Sequence, residues 1–357
     1  MRLFTRFAKG TFLAIASLAA FTANSQDLHF SQYYTQASTL NPSLVGNYDG
    51  SYRLAAIYRN QWTSALGQKY GFQTFGADVD FCLLEGYLRT DKLAIGVGFF
   101  NDHSGQAGLS ITNANLTVAY HKGFGKLGEH RLSVGLQGAF VQKRVEDPLF
   151  GDQFLGHNAT PANASVESFN RGMIQGDFNA GLYWRSNIKD KVRLGVGVGA
   201  YHLIEPKQSL VYDTLTNEKN KKAVIPRKFT ADLNIEAFLD KKKRVSLSPE
   251  FLFMYQGPFM ELLPGISATY YFNTGFRNNN SVSLGARFRV GGNTPDAVIP
   301  MANVEFRNFR LGFAYDVNIS SLKTSTINKG GFELSIAYIG ESVKSFKANK
   351  SLPSRRF

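Results

Sequence analysis

The groups in this chain that could perform chemistry are few and poorly assembled. Its six histidines are His29, His103, His121, His130, His157 and His202. None lies at a metal-ligand spacing from a cysteine, a carboxylate or another histidine, so no metal or other cofactor is expected. The single cysteine, Cys82, excludes an internal disulfide and reads as a small apolar filler. There is no Gly-x-Ser-x-Gly elbow to present a nucleophile. Gly195-Val196-Gly197-Val198-Gly199 has the glycine spacing of a phosphate loop without the strand-then-helix setting that would aim its amides. Glycine on one face of a strand instead permits bending or close packing. Glu250, Glu261, Glu305 and Glu333 lie on candidate strands, and three of them (Glu250, Glu305, Glu333) fall on the polar face with Arg287, Arg289 and Arg310. Buried ion pairs explain that arrangement better than acid–base catalysis, and no enzyme is expected.

The elements that would position these groups are short and alternating. Val192, Leu194, Val196 and Val198 alternate with Arg193, Gly195, Gly197 and Gly199; Phe229, Ala231, Leu233 and Ile235 alternate with Lys228, Thr230, Asp232, Asn234 and Glu236. A strand sends successive side chains to opposite faces, so each segment has one apolar and one polar or glycine face. About fourteen such segments fall near 52–59, 70–79, 92–100, 110–121, 131–141, 177–186, 191–201, 228–238, 244–254, 260–271, 281–290, 298–306, 309–317 and 331–339. Most run to about ten residues, the length a tilted strand needs to cross a bilayer and longer than most strands of soluble domains. An even number of strands suits a single-chain bacterial barrel, which closes and so leaves no unpaired backbone edge in the hydrocarbon.

The flanks agree. Arg2, Arg6 and Lys9 precede the apolar run Thr11–Phe21, and Ala23-Asn24-Ser25 supplies small residues at a cleavage site. Residues 1–25 therefore read as a secretory signal. No later run is long and apolar enough for a transmembrane helix. The two longest connections, about 142–176 and 202–227, fall at one end of the barrel. Tight ones, at Asn187–Asp190, Asp240–Lys243 and Arg307-Asn308, fall at the other, as expected for long outer loops and short periplasmic turns. Tyr52, Trp184, Tyr201, Tyr270-Tyr271-Phe272 and Tyr338, near segment ends, suit interfacial girdles, though strands favour aromatics in any case. The net charge of +13 comes from scattered Lys and Arg, with no stripe or motif for nucleic acid.

Residues 26–51 read as a periplasmic leader feeding the first strand of a barrel over 52–340. Asn41-Pro42 forces an extended or turn conformation. The blocks His29-Phe30-Ser31-Gln32-Tyr33, Leu40-Asn41-Pro42 and Tyr58-Arg59-Asn60-Gln61-Trp62, with Phe313-Ala314-Tyr315-Asp316-Val317-Asn318 and Gly330-Gly331-Phe332-Glu333-Leu334-Ser335 at the far end, resemble the PorP/SprF family. These are outer-membrane proteins associated with type IX secretion and gliding motility of Bacteroidota.

The resemblance implies an outer-membrane accessory that aids export or surface anchoring of particular proteins. Its partners would be outer-membrane lipid, periplasmic secretion or motility proteins, and a secreted surface protein. The block residues His29, Phe30, Ser31, Gln32, Asn41, Pro42, Tyr58, Arg59, Asn60, Gln61 and Trp62 either brace the barrel mouth or bind a partner. The tail 341–357, with Lys344, Lys347, Lys350, Arg355 and Arg356, is either a periplasmic docking segment or a disordered end. The alternative function is a solute channel, since a fourteen-stranded barrel has room for a lumen. Inward Arg193, Arg287 and Arg289, with Glu333, would then line it and favour anions.

Overall fold

The computed structural model describes residues 27–63, 71–83, 90–105, 108–125, 128–146, 171–189, 191–207, 224–272, 280–292, 294–320 and 329–341. The signal, the centres of both long loops and the tail from Lys344 onward lie outside the described residues.

The strands are β1 (Tyr52–Gln61), β2 (Phe72–Leu83), β3 (Lys92–Ser104), β4 (Leu109–Phe124), β5 (His130–Arg144), β6 (Gly172–Ile188) and β7 (Val192–Tyr201). They continue as β8 (Lys228–Phe238), β9 (Val245–Gln256), β10 (Phe259–Tyr271), β11 (Ser281–Gly291), β12 (Thr294–Phe306), β13 (Phe309–Asn318) and β14 (Lys329–Gly340). Each pairs antiparallel with its neighbours in sequence, and β1 pairs with β14, so the fourteen strands close into a barrel with no free edge.

The alternation becomes an outside and an inside. Leu284, Leu311, Leu334, Phe313 and Ile336 face outward at 45–62% exposure. A belt of that size on a water-facing protein would be a liability; facing lipid it is the solvated surface. The inward face is polar and buried: Thr117, Ser133, Gln137, Ser246 and Ser248 are each at most 2% exposed.

The structure revises three expectations. First, β4 has 16 residues and β6 has 17. Their outer ends pass beyond the length a bilayer needs, and over Leu109–Thr112 the alternation lapses. Second, the two longest connections do share one end, but the tightest are not confined to the other. Gly257-Pro258 joins β9 to β10 at the outer end, where β11 ends at Gly291 and β12 begins again at Thr294. Third, Tyr52, Trp184, Tyr270, Phe272 and Tyr338 lie outward near the periplasmic rim, where Tyr52 packs against Tyr338 with 6.0 Å between centroids. Tyr201 and Tyr271 instead point inward. Tyr201 donates to the Ser38 carbonyl at 3.2 Å and Tyr271 to Glu236 at 2.5 Å. Proximity to a strand end selects aromatics on both faces, and only the position within the alternation separates them.

Candidate functional site

The site is the barrel interior, and the leader fills it. Residues 27–50, expected in the periplasm, run inside the lumen instead. Asp27 donates its backbone N–H to Gln256 at the outer end of β9 (2.8 Å), and Ser51 donates to the Gly340 carbonyl at the periplasmic end of β14 (2.8 Å). The reason is pairing: the leader's exposed backbone groups find acceptors and donors on the polar inner wall, and burial without them would be costly.

Local chemistry shapes the leader. Asn41 is extended (φ −163°, ψ 117°), as the following proline demands. Pro42 opens a 3-10 turn (Pro42–Leu44) after a one-turn helix, α1 (Ala37–Leu40). Asn41 caps that turn by accepting from the Ser43 amide (3.0 Å) and hydroxyl (2.7 Å), while its own amide donates to the Leu182 carbonyl (3.0 Å). The wall answers with glycines. A Cβ on Gly181 would overlap the Asn41 amide, and one on Gly135 would overlap the Pro42–Ser43 peptide. Gly199 meets the Leu40 carbonyl, which also accepts from Thr230 at 2.7 Å. The glycine run Gly195–Gly199 therefore makes room for the leader and for Tyr183.

Charge concentrates at the barrel seam. Arg59 reaches Glu333 at 3.1 Å and Asp316 at 3.1 Å, and donates to the His29 carbonyl at 2.9 Å and to Gln61 at 3.1 Å. Arg289 meets Asp316 at 2.8 Å and Asp296 at 2.6 Å. Ser31 donates its hydroxyl to Asp316 (2.9 Å), and the Ser31 and Gln32 amides donate to the two oxygens of Glu333. Arg287 pairs with Glu250 at 2.8 Å, donates to the Ser31 carbonyl, and lies 4.3 Å from the Tyr33 ring centroid. Tyr33, Tyr34 and Leu40 also cover an apolar part of the wall made by Leu252, Leu263, Ile299 and Met301. A second group fixes the leader's foot. Tyr48 donates to the Asp80 carbonyl at 2.9 Å, Lys92 donates to Tyr48, and His121 bonds the Val45 carbonyl at 2.8 Å.

The family blocks thus divide. His29, Ser31, Gln32, Arg59 and Gln61 join Arg287, Arg289 and Glu333 in one region, and Phe30 is buried beside them at 2% exposure. Asn41 and Pro42 sit across the lumen on β5 and β6. Trp62 ends β1 with φ 59°, edge-on to Phe72 at 5.4 Å. Tyr58 and Asn60 lie on the opposite parity from Arg59; the Tyr58 ring packs on Phe332 at 6.1 Å, and Asn60 donates to its hydroxyl. Arg193 stands apart, paired with Glu236 at 3.1 Å. Sequence reading did not single out Asp78, Asp80, Gln137, Asp316 or His202 as leader or network contacts. Inward parity on their strands was the available signal for the first four.

At the outer mouth the leader's head is held by charge. Asp27 contacts His202 at 2.5 Å and Lys228 at 3.7 Å, and Asp177 contacts the other nitrogen of His202 at 2.8 Å. Burial works against the imidazolium, but Asp27 and Asp177 raise His202 to about 9. Burial would likewise raise Asp27, yet His202 and Lys228 hold it below the usual carboxylate range. Beside this head, reaching down to Ser38 and Gln137, lies a cavity of about 370 Å³ lined also by Trp62, Phe72, Leu109, Lys143 and His202. On the periplasmic side, a cavity of about 20 Å³ lies between Tyr34, Leu44 and the wall. Among the described residues, no group of three or more His, Cys, Asp or Glu side chains is arranged to hold a metal ion.

Comparison with solved structures finds outer-membrane barrels. The TodX monoaromatic hydrocarbon channel ΔS2 mutant matches with TM-score 0.52 and 9% identity, over 85% of this chain and 93% of that one. The Ralstonia pickettii toluene transporter TbuX matches with TM-score 0.47 and 12% identity, over 85% and 92%. A Pseudomonas aeruginosa FadL homologue matches with TM-score 0.47 and 11% identity, over 85% and 93%. At these identities the likeness is one of fold. No curated protein matches in sequence. Residues 22–338 match the family described as type IX secretion system membrane protein PorP/SprF. With its closed barrel, the chain is an outer-membrane protein and belongs to the PorP/SprF family.

Proposed function

We propose that this protein is a non-enzymatic accessory of type IX secretion and gliding motility, aiding export or surface anchoring of particular proteins by protein–protein binding. The observation that carries the reading is the leader. It occupies the lumen along its length and is tied to β1, β2, β6, β8, β11 and β14 by hydrogen bonds and ion pairs. A barrel filled this way offers binding faces rather than a path for solutes, and its buried carboxylates are engaged by arginines and amides rather than presented to a substrate. The partners we assign are periplasmic secretion or motility proteins on one side and a secreted surface protein on the other. The block residues brace the barrel from within, and the tail Lys344, Lys347, Lys350, Arg355 and Arg356 is the candidate periplasmic contact.

The test is an affinity pull-down of tagged protein from mildly solubilised native outer membrane, with residues 344–357 present or deleted. Recovery of secretion or motility components with the intact chain supports the role, and their loss on deletion places the contact in the tail. Recovery of none, together with steady solute flux through the purified protein in bilayers, favours the channel.

A further inference from the structure

The periplasmic mouth carries a charge arrangement at the edge of the leader network. Arg131, the second residue of β5, and Arg185, three residues before the end of β6, are direct cross-strand partners. Both lie on the inward parity, between the outward Leu132 and Trp184. Like charges set opposite one another on a sheet repel, and sheets ordinarily avoid them. Arg131 is 3% exposed. The leader's Asp49 is the carboxylate within electrostatic reach of Arg185. Even so, the buried Nη1 of the Arg185 side chain has no hydrogen-bond partner among the described residues. The next arginine along, Arg193, is already matched by Glu236.

The adjoining turns add charge of the same sign. Lys189 and Lys191 are exposed between β6 and β7, with Asp190 between them outside the described residues. Lys241, Lys242 and Arg244 are exposed between β8 and β9. The carboxylate of that turn, Asp240, is engaged by the Arg244 and Val245 amides at 2.7 and 2.9 Å.

We infer that this sector of the periplasmic face, from β5 to β9, is the docking surface for an acidic polypeptide segment whose carboxylates pair with Arg185 just inside the mouth and with the turn lysines beside it. The exposed turn lysines alone would also suit anionic headgroups of the inner leaflet. The inward Arg185 guanidinium decides between them. A headgroup whose acyl chains stay in the bilayer cannot turn over the rim into the lumen, whereas a peptide can. A guanidinium takes a carboxylate through two parallel N–H···O bonds. An extended segment advances about 3.3 Å per residue, so neighbouring acidic side chains can reach Arg185 and the turn lysines together. The inference deepens the accessory reading by naming the chemistry of its periplasmic partner.

The experiment uses the full-length mature protein in phosphatidylcholine nanodiscs and a fluorescein-labelled oligoglutamate peptide, read by anisotropy at low ionic strength. Binding is expected for the wild type and lost at high salt. Arg185→Gln should weaken it about tenfold, a loss of about 1.4 kcal/mol, and Arg185→Lys should fall between the two. Removing one of two repelling charges leaves folding intact, which the heat-dependent gel shift checks. Lys241→Gln with Lys242→Gln, both on the surface, gives a second and independent weakening. Lys329→Gln, at the outer end of β14, should bind as wild type. Equal affinity for wild type and Arg185→Gln overturns the proposal. So does a peptide that fails to bind while the protein retains phosphatidylglycerol selectively. Because the assay reads binding and not secretion, it can fail while the accessory role stands.

Discussion

Arg59 on β1 and Glu333 on β14 are cross-strand partners at the seam where the barrel closes, and their side chains meet at 3.1 Å. The same carboxylate accepts the Ser31 and Gln32 amides at 2.6 and 2.8 Å. One side chain therefore joins the first strand, the last strand and the leader. Glu333→Ala removes one of the two carboxylates on a buried guanidinium, which keeps Asp316, and strands two buried amides, and should destabilise the protein by about 2–4 kcal/mol. Glu333→Gln, which keeps one acceptor oxygen, should lose less. Urea unfolding in micelles measures both; an unchanged midpoint for the alanine variant would show that the seam does not depend on this group.

The glycine groove on β5 and β6 makes a second expectation. Gly181→Val places its side chain where the Asn41 amide lies, so the leader must lift from that wall. Planar-bilayer recordings should show steady conductance for the variant and none for the wild type. A silent variant would mean that the leader is not what closes the lumen.

Asn41 does two jobs, capping the 3-10 turn and donating to the Leu182 carbonyl. Asn41→Ala should lower stability by about 1–2 kcal/mol through the lost cap and bond. Asn41→Asp keeps the cap and loses the donor, and should recover part of it. Equal loss in the two variants would assign the whole effect to the contact with β6.

His202 sets the pH dependence of the leader's head. Its folded value of about 9 lies above the ordinary 6.5. Its contribution is therefore complete below about pH 6.5 and fades as pH rises through about 9. Asp27, held low, acts in the opposite sense: its contribution is present above its ordinary 3.8 and declines in strong acid. Hydrogen exchange at the Asp27–Ser31 amides should quicken from neutral pH toward 10 faster than intrinsic exchange does, and His202→Gln should remove that excess. Identical profiles would refute the assignment.

The strands were legible because lipid imposes alternation on every one of them. The same alternation placed Arg287, Arg289 and Glu333 on the inner face and put Glu250, Glu305 and Glu333 within a set of partners for Arg287, Arg289 and Arg310, without assigning pairs; Arg287 meets Glu250 at 2.8 Å and Arg310 meets Glu305 at 3.7 Å. It did not match Arg289 with Asp316, or Glu333 with Arg59, because parity names a face and not a height along the barrel. The leader's path was hidden for a related reason. A segment built of turns, with one short α-helix and one 3-10 turn, has no period of its own. Its partners are spread from Arg59 to Glu333, so nothing in its spacing points inward. Tyr201 and Tyr271 were read as belt residues from their nearness to strand ends, where parity alone would have turned them inside.

The leader descends the lumen from Asp27 near the outer mouth to Gly50 at the periplasmic one, and β1 then climbs the wall beside it. The closing seam, β1 against β14, is fastened by a carboxylate that also grips the leader, so sealing the barrel and filling it depend on one side chain. A chain whose leader arrived late would hold β1 and β14 apart as open edges in hydrocarbon, where unpaired backbone is least tolerated. The leader is the mandrel around which the closed cylinder sits.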